Sequence, residues 1–188
     1  LKVWQLKSDL NQDFEDLQLV NFDADSDTYI SPLRGIRPIL NEWGEVKVFT
    51  IEEGVKNDFP KFWGDIHVPV VSEKALNIIH DLIEGQVEVL PLSHPQHKYF
   101  AIHVLNAIDA INYDNAVVKE LSSGLRVSFK KYSFLPEKLI GQHIFKVYLD
   151  DRVFSRVFVS DEFKERVTSS SLEGYDFVEV WDSEKSES

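Results

Sequence analysis

The sequence predicts an α+β fold, a mixed and largely antiparallel sheet with a few short helices. Three observations point there. Apolar residues alternate with polar ones through Phe145, Val147 and Leu149 and again through Leu125, Val127 and Phe129, the period of a strand with one buried face. Helical spacing of apolar residues is confined to two short stretches, one holding Ala75, Leu76, Ile79, Leu82 and Ile83, the other Phe163 and Val167. Finally, "VVSEKALNIIHDLIEGQVEVLPL" and "VFVSDEFKERVTSSSLEGYDFVEVWD" share one plan: strand, serine, helix, glycine, strand.

Taken in order, Asp9–Asn41 is irregular and acidic and yields no assignable element, whereas "EVKVFTIE" from Glu45 reads as a strand. The first strand–helix–strand unit follows, with Ser72 opening its helix and Gly85 closing it, a spacing of 13 residues. "KYFAIHVLNAIDAI" is apolar enough for a central strand running on toward Ile111. Gly124 supplies the positive φ that a short turn needs before the strand at Leu125. "LPEKLIG" reads as a helical turn, with Pro136 at its start and Gly141 at its stop. "HIFKVYLDDRVFSRVFVS" then forms a hairpin across Asp150-Asp151. The second unit runs from Ser160 to Gly174, a spacing of 14. Both units are expected within one mixed sheet.

Ser72 and Ser160 stand where helix caps belong. A serine oxygen there accepts a hydrogen bond from the free N–H groups of the first turn, and the acids that follow, Glu73 and Asp161, suit the positive end of the helix dipole. No Gly-x-Ser-x-Gly elbow surrounds either serine, so both are read as structural.

A chain of 188 residues fits a single domain, expected over residues 1–182, within which 1–57 could form an N-terminal lobe and 183–188 a disordered tail. The absence of cysteine excludes disulfides and thiolate metal sites. The N-terminus lacks the apolar stretch of a signal peptide, and the apolar runs are far too short for a membrane span, so a cytoplasmic location is expected. The net charge of −12 is uneven: Leu1–Ile30 carries seven carboxylates against Lys2 and Lys7. That balance argues against nucleic acid or an anionic membrane as ligand and suits a basic protein partner.

Three constellations invite a chemical reading. "DADSD", Asp23 to Asp27, opens like an EF-hand loop, but the positions needing Gly and Glu hold Thr28 and Arg34, and the reading fails. His94 and His97 have His-x-x-His spacing, but Pro95 separates them and no His-Glu-x-x-His arrangement is present, so no zinc site is expected. Asp150-Asp151 is turn chemistry. With no phosphate-cradling glycine loop and no dinucleotide fingerprint, neither cofactor nor catalytic residue is assigned.

The order of "DFP" at Asp58, "VVSEKA", "VEVLPL", "YFAIHVLNAIDAI", "HIFKVY", "VFVSDEFKERV" and "LEGYDFVEVW" resembles the immunity proteins of bacterial polymorphic-toxin systems, immunity family eleven, over residues 58–181. The resemblance implies a cytoplasmic antidote that binds a toxin domain encoded beside it, and it carries no catalytic residue across. The matched serines, glycines and aromatics read as scaffold. The toxin-contacting surface is therefore sought in the acidic N-terminal segment, at Asp13, Glu15, Asp16, Asp23, Asp25 and Asp27, with Trp43 as an anchor. Two other classes stay open: a small hydrolase using acidic or histidine side chains, and an adaptor for an endogenous protein.

Overall fold

The computed structural model describes residues 1–11 and 13–185. Its elements are, in order, β1 (Lys2–Ser8), β2 (Asp16–Leu19), α1 (Phe22–Asp25), β3 (Val46–Glu52), β4 (Lys61–Phe62), β5 (Val70–Ser72), α2 (Glu73–Ile83), β6 (Val87–Ser93), β7 (Lys98–Val104), β8 (Ala107–Ile108), β9 (Val117–Glu120), β10 (Arg126–Lys131), β11 (Ile144–Leu149), β12 (Arg152–Ser160), α3 (Asp161–Thr168) and β13 (Tyr175–Asp182). α1 runs on through a π turn at Ser26–Ile30 and a 3-10 turn at Ser31–Arg34. The expected α+β class is what the structure has.

The strands form two large sheets where one was expected. The first has the order β4-β2-β3-β6-β7-β5 and the second β13-β1-β12-β11-β8, while β9 and β10 pair with each other. Each sheet takes one of the two strand–helix–strand units, and in each the two parallel strands of the unit are held apart by an antiparallel third. β7 fills the slot between β5 and β6, and β1 the slot between β12 and β13. The registers correspond: Tyr99 lies opposite both Ser72 and Leu92, and Val3 opposite both Ser160 and Trp181. The units pack against each other through their helices. Val71, Ala75, Ile79 and Ile83 of the first share one apolar cluster with Val159, Phe163 and Val167 of the second.

β1 is a strand that periodicity did not announce. Trp4 and Lys7 interrupt its pattern because it is a middle strand, with Val3, Gln5 and Leu6 all buried. Its central place means that residues 1–57 contribute strands to both sheets. β7 also ends sooner than expected. At Asn106 the chain leaves one sheet for the other: the Asn106 amide donates to Gln142 Oε1 (2.8 Å) and Ile144 O (3.1 Å), and its carbonyl accepts from Lys146 N (2.8 Å). The tail begins in order, since Ser183 N donates to Leu1 O (2.9 Å) and the Leu1 ammonium to Ser183 Oγ (3.1 Å). Residues 186–188 of the expected tail lie outside the described ones.

Both cap serines do what their positions require. Ala75 N donates to Ser72 Oγ and Phe163 N to Ser160 Oγ, each at 3.1 Å. Ser72 Oγ also donates to Asp58 Oδ1 (2.6 Å), and Asp58 Oδ2 accepts from Glu173 N (3.0 Å). Asp58 thus ties the start of one unit to the loop of the other. In that loop Gly174 has φ +88° and lies so close to Asn57 that a side chain would run into it.

The segment after α1 is strapped onto the sheets by polar contacts. Lys146, buried on β11, donates its ammonium to Leu33 O (2.8 Å) and Gly35 O (2.9 Å). His103 Nε2 meets Arg37 O (2.8 Å), and the Glu88 carboxylate accepts from Ile39 N (2.7 Å) and Leu40 N (3.0 Å). Burial pushes the Lys146 amine down to about 8.

Two expectations follow. Ser72→Ala and Ser160→Ala should each lower stability by about 1 kcal/mol in urea denaturation. Each also loses a second contact, with Asp58 and with His143, and Ser72→Ala should be the costlier because Ser72 is the more buried and its partner is a carboxylate. For Lys146, the unfolded chain titrates near the usual ~10.4 and the folded amine lower. The unfolded state therefore binds the extra proton between those values, and this group's contribution to stability rises with pH from about 8 upward. The gap in urea midpoint between the native protein and Lys146→Met should accordingly shift in favour of the native protein between pH 7.5 and 9.5, and a flat difference would refute the desolvated amine.

Candidate functional site

β2 decides which of the acidic N-terminal residues reach solvent. The strand pairs antiparallel with β3 and parallel with β4, and its alternation turns Leu17 and Leu19 inward. Glu15, just ahead of it, also points in and is only 7% exposed. Its Oε1 accepts a hydrogen bond from the Tyr99 hydroxyl, and its Oε2 lies 3.5 Å from Thr50 Oγ1. Thr50 Oγ1 is in turn 2.9 Å from His94 Nε2. His94 Nδ1 accepts from Gln96 N and His97 N, both at 3.2 Å, which leaves its proton on Nε2, facing Thr50. Burial, then the Glu15 hydrogen bond, holds the Tyr99 phenol well above its usual range; burial lowers His94.

This network is closed. Both Glu15 oxygens face protein donors, and the His94 ring stacks on His97 at 5.5 Å. The arrangement fastens the N-terminal segment to β7 and the loop before it. Among the described residues no group of three or more His, Asp and Glu side chains is placed to hold a metal ion.

The seven expected contact residues are separated by burial. Asp13, Asp23 and Asp27 are exposed and Asp25 partly so, the last three along the helical run of α1. Asp16 is partly buried and paired with Lys61 at 3.0 Å. Glu15 and Trp43 are buried. Trp43 is 3% exposed, its Nε1 donates to Pro91 O (2.8 Å) and its ring meets Tyr29 edge-on at 5.3 Å. Neither can offer a contact face while the fold is intact.

The most exposed tryptophan is Trp63, 48% exposed at the end of β4, while Trp4 is half-buried. Trp63 N donates to Leu17 O (2.8 Å), which extends the β2–β4 pairing by one step. Phe62 turns into the core and Trp63 away from it, the ordinary alternation of a strand. Gly64 follows with φ +105°, and a side chain there would stand 2.6 Å from Ile30 Cδ1 and 2.7 Å from Phe22 Cε2. The helical run bearing Asp23, Asp25 and Asp27 is therefore seated directly beside Trp63. Trp63, Leu10, Phe14, Asp16, Glu52 and Lys61 line a concavity of about 460 Å³. The signal in the sequence was Lys61-Phe62-Trp63-Gly64, in which alternation already separates one ring from the next.

With this geometry in place, comparison with protein families gives one match. Residues 70–182 fit the profile of the immunity protein family Imm11, and the chain belongs to that family. The match covers both strand–helix–strand units, the hairpin and β7, and leaves out β1, β2 and the Trp63 concavity. Comparison with curated proteins gives no match. Membership of an immunity family implies a toxin partner in general terms. No helix among the described residues is long and apolar enough to cross a membrane.

The closed network makes its own prediction. Tyr99→Phe removes the donor from a buried carboxylate and should cost about 1–3 kcal/mol, read as a lower urea midpoint at pH 7. An unchanged midpoint would place Glu15 outside the stabilising network.

Proposed function

We propose that this protein neutralises a cognate toxin domain by binding it stoichiometrically in the cytoplasm, without a chemical step. The observation that carries this reading is the family match over residues 70–182, and the distribution of charge supports it. Asp13, Asp23 and Asp27 are exposed in a chain of net charge −12. A basic toxin domain would be drawn toward them over the range of a Debye length, about 8 Å at physiological salt. Once docked, an interface of roughly 1,200–2,000 Å² suits a specific complex.

A small hydrolase using Glu15 or His94 is less well supported, since that carboxylate is occupied by Tyr99 and approached by Thr50. An adaptor role would be favoured by the absence of a toxin gene next to this one.

The direct test is co-expression of the neighbouring toxin gene with and without this protein, scoring survival and recovery of a complex; killing that the protein fails to prevent would refute the proposal. The joint reversal Asp23→Lys, Asp25→Lys and Asp27→Lys should slow association about tenfold at low salt and flatten its salt dependence in stopped-flow measurements. An unchanged rate and slope would remove this segment from the encounter.

A further inference from the structure

The face around Trp63 groups large exposed apolar side chains. Leu10 is 66% exposed, Ile66 48% and Trp63 48%; Trp63 lines one hollow, Ile66 a second, and Leu10 and Lys61 border both. Large apolar side chains grouped on a monomer surface, with a polar rim, mark a contact site, and tryptophan is the residue most enriched among those that dominate binding energy.

The charges around this face decide what it fits. Lys61 is committed: it pairs with Asp16 at 3.0 Å and lies 5.8 Å from the centre of the Trp63 ring. Glu52 lines the concavity, Glu53 follows it and Asp13 stands next to Phe14. All three are exposed and have no ion-pair partner among the described residues. The helical run packed on Gly64, the residue after Trp63, adds Asp23 and Asp27, again exposed and unpaired among those residues. Of the cations, Lys7 and His67 border the hollows at Ile66 and not the Trp63 concavity. Exposed Lys56 follows Val55, whose backbone bridges to Phe14, and is one cation against Glu52, Glu53 and Asp13. The free charge at the Trp63 concavity is negative. A second exposed apolar group, Val117, Leu121 and Leu125 of the β9–β10 hairpin, shares its hairpin with Lys119, Lys130 and Lys131 against Glu120 and has the opposite net sign.

We infer that the Trp63 concavity is the anchor of the toxin interface, and that it receives a protein loop presenting a lysine or arginine flanked by apolar residues. The cation would reach Glu52 while its apolar neighbours cover Trp63, Leu10 and Phe14. Arginine fits best, since its planar guanidinium can stack on the indole face and still pair with a carboxylate. This assignment rests on the neutralisation proposed above and adds to it the point of attachment, in a part of the chain outside the family match.

The experiment titrates the catalytically inactivated toxin domain encoded beside this gene against the native protein, Trp63→Ala, Leu10→Asp, Glu52→Gln and, as a control on the opposite-signed patch, Leu125→Asp. Circular dichroism and urea midpoints confirm that each variant is folded, which is expected because the altered side chains are exposed. Trp63→Ala should raise Kd at least ~30-fold through a faster dissociation rate, with Leu10→Asp close behind. Glu52→Gln should raise Kd several-fold and reduce its salt dependence, and Leu125→Asp should bind as the native protein does. Trp63→Ala and Leu10→Asp both binding within threefold of the native protein would overturn the anchor and leave neutralisation intact. Failure of the native protein itself to bind would overturn both proposals. Light scattering supplies the last outcome: a native dimer that Trp63→Ala dissociates would make this face a self-interface and refute the toxin assignment.

Discussion

β1 pairs with β13 along its whole length and with β12 over Val3–Gln5, and the rest of the molecule depends on that insertion. β12 and β13 run parallel and are joined into one sheet only through β1, which lies between them. Residues 2–8 therefore complete a sheet whose other members, β8, β11, β12 and β13, come from the second half of the chain. β7 performs the same task between β5 and β6 from within the family-matched region. Two like units, each incomplete without an inserted antiparallel strand, then pack helix against helix around one apolar cluster. Long-range pairings of this kind close large loops before they return any stabilisation.

The N-terminal segment, brought into the fold by β1, is held there by groups that are costly to bury. The Lys146 ammonium, the His103 ring and the Glu88 carboxylate each satisfy backbone groups of residues 33–40, and Glu15 is satisfied by Tyr99. A buried charge with no opposite charge beside it is tolerated only where several dipoles converge on it. These contacts are specific in direction as well as strength, so they fix where the segment lies. Its placement against Gly64 sets the acidic helical run next to Trp63.

The candidate interface is thus a product of the scaffold, although its residues lie outside the family match. β4 is two residues long, yet its parallel pairing with β2 sends Phe62 into the core and leaves Trp63 at the surface. The same strand pair puts Glu15 inside and Asp16 at the rim. Adjacent residues of like chemistry acquire opposite roles because successive side chains of an extended segment point to opposite faces.

Much of this was legible in the sequence. Period-two alternation, the capping serines at 72 and 160, the glycines at 85 and 174 and the aspartate turn at 150 define the hairpin and both strand–helix–strand units, because each is a local preference expressed within a few residues. Chain order alone did not reveal that the units occupy separate sheets, that β1 belongs among strands more than 150 positions away, or that Trp43 is inside and Trp63 outside. Composition makes every tryptophan and every carboxylate equivalent. Burial is set by contacts between distant segments, and only the assembled sheets determine which of these groups water can reach.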